Sequence, residues 1–315
     1  MKKIAKILTA VAAVCLIAAV GFIGDTNLRI AHIEVASPQS EDTGRFIEVA
    51  GQRLYVSTMG SAATDPTGAP LLLVHGFIPA GHLAWLPWAG SLAVQRSLIL
   101  PDLLGFGYSA RAIGPPEAFS LKARAASLAS ILDTLGVPQV DVVGASYGGA
   151  VAAQFALDYP ARVRRLVFMD AAIFPQNNSL ALMSLPLGIG RALTWHTVGG
   201  GPYGYIARNC PSKPADCVWL RATRVSGTTD ALQAMLAARS KATDESALPS
   251  EIGQITAKSL VIWGGEDALV PVGDGDRLAR ALKSNIAIIS GAGHLPYLQQ
   301  PDRVAARILD FMQSR

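Results

Sequence analysis

The pentapeptide Gly144-Ala145-Ser146-Tyr147-Gly148 constrains this chain more tightly than any other feature. An apolar, strand-like run at 140–143 leads into it, and a helical pattern at 147–159 leads out and stops at Pro160. A serine on so short a strand-to-helix connection is forced out of the plane of the sheet. The tight backbone then leaves room only for small residues on either side, a need that Gly144 and Gly148 meet. The following helix turns its free amide groups toward the place where negative charge would develop. Glycine-rich turns that bind nothing share the five-residue pattern, so its position between strand and helix is what gives it weight.

The surrounding chain fits that position. Short apolar runs at 71–74, 97–100, 140–143, 166–169, 260–263 and 286–289 alternate with helical stretches. That pattern predicts an α/β fold, a mostly parallel sheet flanked by helices. Residues 45–59 read as an edge hairpin across Gly51, followed by a polar turn at 61–70. Ser120 is placed to cap a helix that Gly136 ends, and Pro301 suits the first turn of a closing helix. Between 171 and 254 no clear strand occurs. This stretch predicts an inserted, mainly helical cap that divides the core into 45–170 and 255–315. It holds an apolar run at 180–195, a glycine-rich turn at 199–204 and a helical patch at 230–238.

The N-terminus has its own character. Lys2, Lys3 and Lys6 precede an apolar stretch at 7–24, the layout of an export signal or a membrane anchor. Residues 1–24 are assigned to that segment and 25–44 to a connector. A cut after Gly21 fits a signal, whereas Val14 before Cys15 fits a lipid-attachment site poorly. Either reading leaves the lysines inside and places the folded part on the periplasmic or extracellular side. The other two cysteines, Cys210 and Cys217, are close in sequence and could staple a loop in an oxidising compartment. They are not expected to hold a metal, since no histidine is nearby. The charge balance of 27 basic to 23 acidic residues gives only a scattered excess, so no nucleic-acid partner is expected.

A serine needs a base, and the base needs a group to orient it. Of five histidines, His294 in Gly291-Ala292-Gly293-His294 follows a predicted strand directly and is the candidate base. His32, His82 and His196 lie in a connector, a loop and the cap, and His75 reads as structural. Asp267 also follows a strand and is the candidate acid. Asp170 is its rival, and neighbouring Glu266 reads as a solvated side chain. The order Ser, Asp, His suits this architecture. Two backbone amides, of Tyr147 and of Phe77 after the first parallel strand, are the candidate oxyanion donors.

The segments LLLVHGF, LILPDLLGFGYS, VDVVGASYGG, VIWGGEDALVP and ISGAGHLPYLQQP resemble the successive signatures of the α/β-hydrolase fold superfamily. More closely, they look like its lid-bearing branch of esterases, lipases and carbon–carbon-bond hydrolases, with a looser similarity to membrane-anchored monoacylglycerol lipases. The resemblance covers about 45–312 except the cap. It implies Ser146 as nucleophile, Asp267 as acid, His294 as base, Phe77 and Tyr147 as oxyanion donors, and structural roles for Asp102 and Gly105. Relatives resembling haloalkane dehalogenases and epoxide hydrolases carry an aspartate where this chain has Ser146. No cofactor or metal is implied.

The function expected from the resemblance is hydrolysis of carboxylic esters, with lipophilic acyl groups, through an acyl-enzyme. The apolar run at 180–190 with Trp195 and Trp219 could bind the acyl chain or simply pack the cap. One alternative is carbon–carbon-bond hydrolysis of diketones, with Arg191 or Arg208 clamping a carboxylate. Another is a non-catalytic, membrane-tethered binding module on a hydrolase scaffold.

Overall fold

The structure, a computed structural model, describes residues 2–37, 44–60, 68–111, 115–175, 182, 185–201, 205–210, 217–239 and 243–314. The chain begins with a long helix, α1 (Lys2–Ile33). Strands β1 (Arg45–Val49) and β2 (Gln52–Met59) follow as a hairpin, its two-residue turn made by Ala50 and Gly51, both at positive φ. The core continues through β3 (Leu71–Val74), α2 (Leu86–Ala93), β4 (Leu98–Pro101), α3 (Leu121–Thr134), β5 (Val140–Ala145), α4 (Tyr147–Asp158) and β6 (Val163–Met169). Among the described residues five α-helices intervene before the next strand: α5 (Ile189–Thr197), α6 (Tyr205–Asn209), α7 (Trp219–Thr223), α8 (Thr228–Arg239) and α9 (Thr243–Glu251). The core closes with β7 (Lys258–Gly264), α10 (Val272–Leu282), β8 (Asn285–Ile289), α11 (Pro296–Gln299) and α12 (Pro301–Gln313).

Among the described residues eight strands form one sheet in the order β1-β2-β4-β3-β5-β6-β7-β8. The β1–β2 and β2–β4 pairs are antiparallel, and all the others are parallel. This is a mostly parallel sheet flanked by helices with an inserted helical region, as the alternation predicts. Parallel strands covered on both faces must be apolar throughout, and β3, β4 and β5 are buried at every position. Val140 and Val142 face the core under α3 and α4, while Val143 and Ala145 face the core under α2 and α12.

The sheet also fixes where a site can form. Strand order reverses at β3, with β4 on one side and β5 on the other, so the loops leaving β3 and β5 open a crevice beyond their C-terminal ends. Val74 pairs with Gly144, which sets the segments after them side by side.

Local signals account for the helix ends. Ser120 Oγ accepts a hydrogen bond from Ala123 N at 3.1 Å, and Gly136 follows α3 at positive φ. One boundary differs from the sequence reading: α1 does not give way to a connector after Gly24 but runs on to Ile33. No glycine or proline interrupts 25–33, Asp25 pairs with Arg29 one turn on at 2.7 Å, and Ile30 is fully buried beside the inserted helices. Pro38, the turn at 61–67, most of 176–184, and residues 202–204 and 211–216 lie outside the described residues.

Candidate active site

Ser146 stands between β5 and α4 at φ 51° and ψ −121°, a conformation that costs an L-residue energy. Its backbone is held from both sides. Ser146 N donates to Met169 O, and Gly149 N and Ala172 N both donate to Ser146 O, each at 2.9 Å. The glycine pattern has a direct steric cause. A Cβ on Gly148 would lie 2.2 Å from Val74 O, and one on Gly144 would lie 2.5 Å from Gly148 O. The first turn of α4 therefore rests against the end of β3, with the Ser146 side chain aimed into the crevice.

Two further strand ends converge there. Asp267 follows β7, and His294 follows β8. Glu266 N donates to Ala292 O at 2.8 Å, joining the two loops, while the Glu266 side chain is exposed. Asp267 Oδ1 accepts from Leu269 N at 2.8 Å and Val270 N at 3.0 Å. His294 Nδ1 lies 2.7 Å from Asp267 Oδ2, and its Nε2 lies 2.9 Å from Ser146 Oγ. Burial pushes the Asp267 carboxyl upward, but the hydrogen bond and charge of His294 and the two amides outweigh it, leaving Asp267 below its ordinary range. An ionised Asp267 can only accept, so Nδ1 carries the His294 proton and Nε2 is free to accept from the Ser146 hydroxyl.

The two candidate oxyanion donors also meet here. Ile78 N donates to Gly76 O at 2.8 Å, a tight turn with Phe77 at its centre. Among the described residues the N–H groups of Phe77 and Tyr147 donate to no acceptor, and both residues line the cavity above Ser146.

Neighbouring polar residues hold this frame. His75 is buried, donates from Nδ1 to Gly76 O at 2.8 Å and accepts from Leu103 N through Nε2 at 3.1 Å. Burial pushes it down to about 4, so it is neutral, with both nitrogens occupied. Asp102 accepts from His82 Nδ1 at 2.9 Å and from Tyr108 N at 2.7 Å, away from Ser146. Asp170 lies beside Asp267 and does not bond to His294; Gly264 N donates to its Oδ1 at 2.8 Å.

The cavity measures about 730 Å³ and is walled by core loops and inserted helices, including Phe174, Val198, Leu236 and Leu248. Two of its polar residues carry no motif that the sequence could announce. Arg239, at the end of α8, pairs with Glu245 at 2.9 Å and stacks over the Tyr147 and Phe77 rings, 4.5 and 5.6 Å from their centroids.

The structure separates alternatives that the sequence left open. Arg191 does not reach the cavity but pairs with Asp230 at 2.5 Å and with Asn27 Oδ1 at 3.1 Å; Arg208 does line it. The described part of the 180–190 run does not line the cavity either. Trp195 and Trp219 are buried in packing outside it, Trp219 in a cluster with Ile78, Leu83 and Tyr108 of the core. Cys210 and Cys217 are joined by a disulfide, with Cα atoms 6.2 Å apart.

The family described as alpha/beta hydrolase fold matches residues 69–196. A 2-hydroxymuconate semialdehyde hydrolase from Pseudomonas putida is 30% identical over 304 residues, covering 88% of this chain and 96% of the relative. A 2-hydroxy-6-oxo-2,4-heptadienoate hydrolase from Pseudomonas putida is 28% identical over 285 residues, covering 86% and 96%. Among solved structures, a membrane phospholipase A described as a bacterial virulence factor superposes with a TM-score of 0.70 at 22% identity, covering all of both chains. With its serine on a strand-to-helix turn under an inserted helical region, and with a relative 30% identical along nearly its whole length, the chain belongs to the α/β-hydrolase fold superfamily.

Proposed function

We propose that this hydrolase attacks a substrate carbonyl with Ser146, and that its substrates are carboxylic esters with a lipophilic acyl part. The observation that carries the reading is the continuous hydrogen-bonded line from Asp267 through His294 to Ser146 Oγ. In the proposed cycle His294 Nε2 takes the Ser146 proton as Oγ bonds to the carbonyl carbon. The resulting oxyanion lies against the Phe77 and Tyr147 amides. The tetrahedral species collapses, and the leaving group takes the proton from His294. A water molecule, deprotonated by His294, then releases the acyl group.

The lipophilic part of the proposal draws on α1. Val11 to Ile33 is long and apolar enough to cross a bilayer, and Val14, Leu16, Ile17 and Val20 are all exposed. Residues 7–24 span about 27 Å as a helix, close to the hydrocarbon thickness. The part beyond Asp25 packs on the inserted helices. We read α1 as an anchor with the hydrolase on the outer side, where a disulfide persists.

A second reading is favoured by the sequence relatives more than the first. The 2-hydroxy-6-oxo-2,4-heptadienoate named for one of them contains a ketone and a carboxylate but no ester, so its hydrolysis must break a carbon–carbon bond. The same serine chemistry serves, provided a cation holds the carboxylate. Arg208 lines the cavity and makes no ion pair or hydrogen bond among the described residues.

One assay series separates the readings. Full-length protein in detergent is given p-nitrophenyl esters of increasing chain length and, in parallel, a 6-oxo-dienoate, with Ser146→Ala as control. Serine-dependent release from medium or long esters supports the first reading. Turnover of the dienoate alone, lost on Arg208→Gln, replaces it with the second. Serine-dependent turnover of neither would leave a tethered binding module.

A further inference from the structure

We propose that Asp170 is a protonated, uncharged acid that donates a hydrogen bond to Asp267, and so acts as a positioning residue for the acid of the site. Asp170 ends β6, next to the end of β7, and is 1% exposed. Its Oδ1 accepts from Gly264 N at 2.8 Å, while its Oδ2 is buried and receives no donor among the described residues. One oxygen of Asp170, one of Asp267 and one ring nitrogen of His294 all lie within 4.8 Å of one another. Asp170 is held there at φ 47°, a strained conformation for a residue other than glycine.

Two carboxylates this close in a buried site cannot both carry charge. The donors decide which one keeps the proton. Among the described residues Asp267 receives three, from His294 Nδ1, Leu269 N and Val270 N, whereas Asp170 receives only Gly264 N. The proton therefore belongs on Asp170 Oδ2, where it gives the unpaired oxygen a partner. The other titratable groups facing the pair, Tyr205 and Tyr297, are neutral phenols that burial pushes further up. Burial, with Asp267 alongside, pushes Asp170 up to about 9, which agrees with this placement.

The donated hydrogen bond adds a further fixed contact to the Asp267 carboxylate and draws off part of its charge. No bond is made or broken, and the Asp170 proton stays in place through turnover.

The kinetic part of the test rests on the serine-hydrolase reading above; the spectroscopic part does not. Asp170→Asn keeps an acceptor for Gly264 N and a donor for Asp267, so kcat and KM should stay within about 3-fold of wild type, with the acid limb of the pH–rate profile unmoved. Asp170→Leu removes the donor. It should lower kcat about 10-fold at unchanged KM and move the acid limb upward, because Asp267 regains its full charge beside His294. A downward move of the acid limb in Asp170→Asn would show that Asp170 is an anion and overturn the proposal. Infrared spectroscopy at pH 7 reads the proton directly and works even if the leucine variant fails to fold. The full-length protein and its Ser146→Ala variant should both show the carbonyl band of a buried protonated carboxylic acid, and Asp170→Asn should lack it. Absence of that band from the wild type overturns the proposal. A band that persists beside full activity in Ser146→Ala would instead sink the serine-hydrolase reading.

Discussion

The Glu34 carboxylate, just beyond α1, accepts hydrogen bonds from the backbone N–H of Thr229 at 3.1 Å and from the Thr229 hydroxyl, in the first turn of α8. A carboxylate there satisfies an otherwise unpaired helix amide and complements the helix dipole. Ala36 N donates to Arg224 O at 2.9 Å, and Ser226 N donates to Ala36 O at 3.0 Å. Thr26 Oγ1 lies 3.2 Å from His196 Nε2. The C-terminal part of α1 is thus built into the inserted helices that wall the cavity. Removal of residues 1–21 should leave the melting temperature nearly unchanged. Removal of 1–36 should lower it by several degrees and raise KM for a soluble ester, and Glu34→Ala alone should cost about 1–2 kcal/mol. Thermal melts in detergent check this; equal stability of the two truncations would contradict it.

Gly148 has no space for a side chain. Its added Cβ would lie 2.2 Å from Val74 O and 2.5 Å from His75 O, all backbone. Gly148→Val should therefore fail to accumulate as folded protein, and Gly148→Ala should cost at least about 3 kcal/mol. Denaturant unfolding measures the loss. Gly273→Ala meets no atom within 4 Å and is the control expected to stay near wild type.

The pH dependence of stability carries a signature of His75. Folding lowers it from 6.5 to about 4, so between those values the unfolded chain binds a proton that the folded chain refuses. Its contribution is complete above pH 6.5 and is lost as pH falls toward 4, by roughly 3 kcal/mol in all. Asp170, raised by burial, works in the opposite sense, so the comparison must be made against a variant. The stability advantage of wild type over His75→Gln should shrink steadily from pH 6.5 to 4, as urea titrations at each pH will show. A constant advantage would contradict the account.

The Cys210–Cys217 disulfide closes a short loop, with a sequence separation of 7. Restriction of the unfolded chain by so small a loop contributes about 2 kcal/mol. Thermal melts should show the double variant Cys210→Ser, Cys217→Ser melting a few degrees below the wild type, and reductant should lower the wild-type melting temperature but not that of the variant.

The sequence discloses the core well and the inserted region poorly, for a physical reason. Each parallel core strand contains an apolar run bounded by turn residues, and Ser146, Asp267 and His294 each follow one, so their convergence could be expected from the sequence alone. Gly144 and Gly148 were legible because a close backbone approach admits no other residue. The inserted helices are short and carry no motif, so Trp195, which is buried in packing, and Leu182, Leu185 and Leu187, which are exposed, could all be read as cavity walls when they are not. Arg239 was invisible, because its place above the Phe77 and Tyr147 rings depends on how α8 lies across the core. The helical reach of α1 past Gly24 was hidden too, since Glu34 finds its partner, Thr229, 195 residues further along the chain.

Covalent trapping tests the central claim most directly. A fluorophosphonate, which reacts with an activated serine, is added to the full-length protein and the adduct is mapped by mass spectrometry. The account predicts one adduct, on Ser146, absent from Ser146→Ala and formed at least about 1,000-fold more slowly in His294→Ala. No adduct, an adduct elsewhere, or equal labelling without His294 would contradict it.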